Sequence, residues 1–134
     1  MNPDRPDFHA DDTRFILKEE THAIIGCAMD VLNGIGHGLR EKAYERGLIV
    51  EFRSRGISYE CQRGFPVLYK GEQVDEFVPD LIVFGKVVVD AKVIERITDH
   101  ERGQMLNYLR IAQLRVGLIV NFKRAKLEFE RVVL

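Results

Sequence analysis

From Leu17 onward, apolar residues return at three- and four-residue steps: Leu17, Ile24, Ile25, Ala28, Val31, Leu32 and Ile35. That period lays them along one face of a helix starting near residue 13. Gly34, Gly36 and Gly38 are expected to break it, and a second helix is expected over residues 39–55, with Gly56 placed to stop it. Beyond Gly56 the pattern turns to strands, over residues 57–63, 65–69 and 73–84, with Lys70-Gly71-Glu72 as a turn between the last two. Residues 86–93 carry the β-branched Val87, Val88, Val89 and Val93, as suits a central strand buried on both faces. The short Phe84-Gly85-Lys86 link makes that strand the antiparallel partner of the one before it. Thr98-Asp99-His100-Glu101 is a capping box that opens a helix running to Ala112, and strands are expected at 114–121 and 127–133. Helices on both sides of a run of strands define an α/β protein.

The chain has 134 residues, of which 46% are hydrophobic and 31% charged, enough for one domain with a core that needs no disulfide staples. Residues 1–12, with Pro3, Pro6, Asp11 and Asp12 and no periodicity, read as a disordered tail ahead of a domain at 13–134. No apolar run approaches the roughly 18 residues of a membrane span, and the polar start is unlike a secretory signal, so the cytoplasm is the expected location. Cys27 and Cys61, far apart and without ligand-spaced partners, are expected to be buried structural thiols rather than half of a zinc site. Twenty Lys and Arg against 21 Asp and Glu leave a net charge of −1. Any binding of nucleic acid must therefore be local or depend on a cation, because the chain carries no overall basic balance.

Charge becomes informative around Gly85. With Phe84-Gly85-Lys86 as the loop, Val83 sits opposite Val87 and Asp80 opposite Asp90, so two carboxylates lie side by side on adjacent strands. Lys92 follows Asp90 by two residues and shares its face. Pro79 gives no N–H to a ladder and marks a bend where Asp80 is presented. Unpaired charges in an apolar strand cost several kcal/mol each, by order of magnitude, unless they are paired, neutralised or metal-bound. Carboxylate oxygens are the ligands Mg²⁺ or Mn²⁺ prefers. Spacing alone leaves a metal site and an internal Asp–Lys salt bridge equally open.

Pro79-Asp80 followed by Asp90-Ala91-Lys92 resembles the PD-(D/E)xK signature of restriction-endonuclease-like nucleases. Gly38-Leu39-Arg40-Glu41-Lys42-Ala43-Tyr44 resembles the motif of the GxxExxY proteins, a bacterial and archaeal branch of that superfamily. Gln104-Met105-Leu106-Asn107-Tyr108 is similar to the QxxxY helix that follows the core in several branches. The resemblance runs from about Thr13 to the end, and departs from the commoner pattern at Asp90, where Glu is more frequent. It implies a restriction-endonuclease-like core, a mixed sheet flanked by helices. It also implies Asp80 and Asp90 as ligands of Mg²⁺ or Mn²⁺, with Glu41 completing the shell directly or through water. Lys92 would orient the attacking water and steady charge on the phosphate, and Gln104 would support the site.

The implied reaction is phosphodiester hydrolysis, on DNA in preference to RNA. The competing expectation is a catalytically silent binding or regulatory module of the same fold, acting as a homodimer or with a partner protein. Tyr44 and Tyr108 are expected to be packing residues, one turn beyond Glu41 and Gln104. His37, four residues before Glu41 on an expected helix, forms a weaker ligand pair with it. Lys123, Arg124 and Lys126 are read as a solvated turn in preference to a phosphate contact.

Overall fold

The helical period is realised in α1 (Lys18–Ile35) and α2 (Glu41–Arg55) in a computed structural model that describes residues 16–134. The tail expected at 1–12 lies outside the described residues. Gly34 stays inside α1, and the helix ends instead at Gly36. Gly38 has φ +96°, a conformation that L side chains rarely adopt, so the chain turns there before α2 begins. That turn leaves Leu39 and Arg40 outside α2 and puts Glu41 at its first residue, where a carboxylate suits the positive end of the helix dipole. Gly56, in the left-handed region, closes α2 as expected.

The strands are β1 (Tyr59–Glu60), β2 (Phe65–Tyr69), β3 (Glu72–Phe77), β4 (Leu81–Val83), β5 (Val87–Lys92), β6 (Val116–Asn121) and β7 (Glu128–Val133), with α3 (Asp99–Ala112) between β5 and β6. Two expected strands are corrected. Residues 57–63 pair only at β1, because Gln62, at φ 63°, turns the chain aside. Residues 73–84 divide at Val78-Pro79-Asp80, where Pro79 cannot donate to a ladder. The halves then join different sheets. β3 pairs with β2 in a separate hairpin, and β4 enters a five-stranded sheet of order β1-β4-β5-β6-β7.

β5 is antiparallel to β4 and parallel to β6, so the sheet is mixed. A parallel pair needs a crossover, and α3 supplies it. Thr98 caps that helix: Glu101 Oε1 accepts the Thr98 N–H at 2.8 Å, and the reciprocal bond completes the box. Val87, Val89 and Ala91 of β5 share one buried cluster with Leu118 and Val120 of β6 and with Tyr44, Leu48 and Phe52 of α2. Val88 and Ile119 join Met105 and Leu109 of α3 in another. The sheet is thus the middle layer, with α1 and α2 on one face and α3 on the other. Gly117 allows α3 its close approach, since a Cβ there would collide with the Met105 sulfur.

Cys27 is buried as expected, whereas Cys61 is exposed, because the turn at Gln62 carries its segment out of the sheet. Among the described residues, no helix is long and apolar enough to cross a membrane.

Candidate active site

The β4–β5 register pairs Leu81 with Val89, Ile82 with Val88 and Val83 with Val87. One step further along this ladder, Asp80 stands beside Asp90. Phe84 and Gly85 close the hairpin with φ of 58° and 68°, and the Lys86 N–H bonds the Val83 carbonyl at 3.1 Å. This is the primed turn whose twist matches that of its strands. Alternation along β5 puts Asp90 and Lys92 on the face of Val88, beneath α3.

A cleft of about 180 Å³ opens there, lined by Glu41, Phe77, Pro79, Asp80, Asp90 and Lys92 among others. Four of the five residues singled out from the sequence therefore line one cavity. The fifth, Gln104 of α3, touches it through Lys92: Gln104 Oε1 accepts from Lys92 Nζ at 3.1 Å. Lys92 Nζ also lies 3.2 Å from an Asp90 oxygen.

Burial and the neighbouring Asp90 charge push Asp80 up to about 6, with Glu41 adding to the shift and the Ala91 backbone N–H opposing it. Asp90 is also raised, by burial first, against the pull of Lys92. The two neighbouring carboxyls together bind a proton more tightly than either would in water. Lys92 behaves oppositely. Its burial would lower the pKa, but the charge and hydrogen bond of Asp90 outweigh that and hold the ammonium above its ordinary range. A lysine so held is a cation at neutral pH and cannot serve as a base.

Glu41 reaches the cleft from the start of α2 and is itself exposed. Among the described residues, no three His, Cys, Asp or Glu side chains gather closely enough to hold a metal ion as they stand. The donor set nonetheless suits a hard divalent cation. Two adjacent half-buried carboxyls lack a second positive charge, and a third carboxylate waits at the cleft wall.

Tyr44 is more than filler. Its hydroxyl donates to the Gly36 carbonyl at 2.8 Å and accepts the Leu39 N–H at 3.1 Å, while its ring stacks on Phe122 at 4.5 Å. Tyr108 stacks on Phe77 at 4.2 Å, and both rings line the cleft. His37 lies in the loop before α2, not on a helix, because the turn at Gly38 intervenes, and the pairing with Glu41 is corrected. Lys123, Arg124 and Lys126 occupy the exposed β6–β7 turn, where Arg124 pairs with Glu95.

Two residues of consequence were missed. Glu45, one turn beyond Glu41, is half-buried, and its carboxyl is pushed up by burial and by Asp80. The i to i+4 spacing from Glu41 was the signal that could have found it. Asn121, opposite Lys92 on β6, is buried and hydrogen-bonds both the N–H and the carbonyl of Ile94, and also Glu128. Glu128 in turn accepts the Ile97 N–H at 3.1 Å. Together they fix the passage from β5 to α3, and so where Gln104 meets Lys92. No signal in the sequence marked them.

A family model described as the PD-(D/E)XK nuclease superfamily matches residues 18–132. No curated protein and no solved structure matched the chain.

Proposed function

The chain belongs to the PD-(D/E)XK nuclease superfamily, and on that premise we propose that it hydrolyses phosphodiester bonds, DNA in preference to RNA, in the GxxExxY branch of that superfamily. The observation that carries this reading is the pairing of Asp80, pushed up to about 6, with Asp90 beside a Lys92 held cationic. Asp80 and Asp90 would hold Mg²⁺ or Mn²⁺, with Glu41 completing the shell directly or through water. When bound, such an ion supplies Lewis acidity toward a phosphoryl oxygen and the attacking water. The protein's own part is orientation and charge. Lys92, steadied by Gln104 and Asp90, directs its remaining N–H toward the water and the phosphate, where negative charge grows in the transition state. A P–O bond to the water oxygen forms as the P–O bond to the leaving sugar oxygen breaks; the attacking water gives up a proton to solvent, and the leaving oxygen takes one from solvent to depart as the alcohol.

The test is cleavage of mixed DNA and RNA substrates with Mg²⁺ or Mn²⁺, beside Asp80→Ala. Metal-dependent cleavage lost in the variant supports hydrolysis. Specific binding without turnover supports the second reading, a catalytically silent module working with a partner protein or a second copy. A net charge of −1 and the outlying position of Glu41 favour that alternative.

A further inference from the structure

The cleft does not end at Asp80. Past Val78, Pro79 and Asp80, which line both cavities, it continues into a second groove of about 290 Å³ between α2 and the Cys61-Gln62 segment. One bank carries Lys42, Glu45 and Arg46 from the first turns of α2, with the Glu45 carboxyl half-buried and engaged by Lys42, and the other carries the Gln62 amide. The Phe77–Tyr108 stack forms part of the wall of the first cavity. Because Asp80 borders both cavities, a polymer whose reacting phosphate sits at Asp80 and Lys92 has the second groove as a continuous path.

We propose that this groove holds the phosphate next to the scissile one, gripping a single nucleic-acid strand by its backbone. Arg46 is the principal contact. It is exposed and in no ion pair among the described residues, whereas Lys42 is shared with Glu45 at 3.3 Å. A local grip of this kind answers the sequence's lack of an overall basic balance. The phosphate leaving the active cleft is met by Arg46 and Lys42, so the grip is on the backbone and indifferent to base identity. The inference rests on the hydrolase reading for its substrate class.

The groove contains its own reporter. Cys61 lines it and is exposed, while Cys27 is buried, so a bulky maleimide reacts at Cys61 alone. Binding of a fluorescein-labelled single-stranded oligonucleotide is measured by anisotropy in Ca²⁺ over a range of salt. Arg46→Glu is expected to weaken binding about tenfold or more and to lower the salt slope by about one. Lys86→Glu, the same charge change at the far end of the β4–β5 hairpin, is expected to leave binding unaltered. Maleimide treatment is expected to abolish binding, and Cys61→Ser to make the protein resistant to it. Arg46→Ala serves if the charge reversal lowers the melting temperature.

Absence of oligonucleotide binding by the unaltered protein overturns the proposal, as does unchanged affinity in both Arg46 variants or in the labelled protein. Cleavage of the same oligonucleotide in Mg²⁺ separates the two readings. Arg46-dependent binding without cleavage keeps the groove and sinks hydrolysis. Cleavage with an unchanged KM in the Arg46 variants does the reverse.

Discussion

The Tyr44 hydroxyl reaches back eight residues to the Gly36 carbonyl at 2.8 Å, tying the end of α1 to the start of α2. Through the same hydroxyl the Leu39 N–H is held at 3.1 Å, two residues before Glu41. The Tyr44 ring stacks on Phe122, whose N–H bonds the Lys92 carbonyl at 2.9 Å. The glycine loop, Glu41 and the end of β5 are thereby held in one frame.

Tyr44→Phe keeps the stack and removes the anchor, so the expected loss of stability is modest, about 1–2 kcal/mol by chemical denaturation. Its informative effect is on Glu41. Metal affinity, measured by isothermal titration, is expected to fall, and Tyr44→Phe combined with Glu41→Gln is expected to cost less than the two separate losses added together. Strict additivity would detach Tyr44 from the metal shell.

The position of Asp80 near 6 gives the metal-free protein an inverted pH response. With 3.8 as its ordinary value, Asp80 binds its proton more tightly folded than unfolded, so its charged form opposes folding. Stability from this group therefore increases as pH falls through about 6 and levels off below about 4. The melting temperature without metal is expected to be higher at about pH 5 than at about pH 7, and Asp80→Asn should flatten the difference. Millimolar Mg²⁺ or Mn²⁺ is expected to raise the melting temperature at about pH 7 and to lose that effect at about pH 5. A response identical in Asp80→Asn would remove the carboxyl pair as its cause.

Lys92→Met preserves most of the apolar stem while deleting the charge. Turnover on nucleic acid is expected to drop about 100-fold or more, since the ammonium acts where charge builds in the transition state. Metal affinity is expected to hold or increase, because a neighbouring cation is gone. Cleavage at the original rate would rule out the role given to Lys92.

Asn121→Leu leaves the Ile94 N–H and carbonyl without their partner in the half-buried bend that follows β5. The expected cost is about 2–4 kcal/mol, measured by denaturant unfolding, with faster amide exchange at Ile94 and Ile97. A stability change under about 0.5 kcal/mol would mean that water replaces the amide at no cost.

Much of this arrangement could be read from the residues because it depends on short-range rules. The register placing Asp80 beside Asp90 followed from a three-residue loop and strand alternation, and the Thr98 cap from a four-residue motif. What escaped depended on distant partners. Nothing local separates Phe77 from Leu81 as members of different sheets, since both lie in one apolar alternating run and only Pro79 between them hints at the break. Glu45 and Asn121 gained significance only when α2 met Asp80 and β6 met β5. The left-handed turn at Gln62, which exposed Cys61, is likewise set by tertiary context and not by a residue with a preference for it.

The parallel β5–β6 pair also sets an order in time. During synthesis the two aspartates and Lys92 leave the ribosome before α3 and β6 exist, so β5, which bears Asp90 and Lys92, has only its β4 partner and one face uncovered. Long-range parallel pairing is among the slower steps of folding, since a loop must close before any contact rewards it. Nascent chains that stop short of Asn121 lack the strand beside Lys92, and those that stop short of Gln104 lack its other partner. Lys92 thus gains its Gln104 partner and the strand beside it only after the crossover has closed.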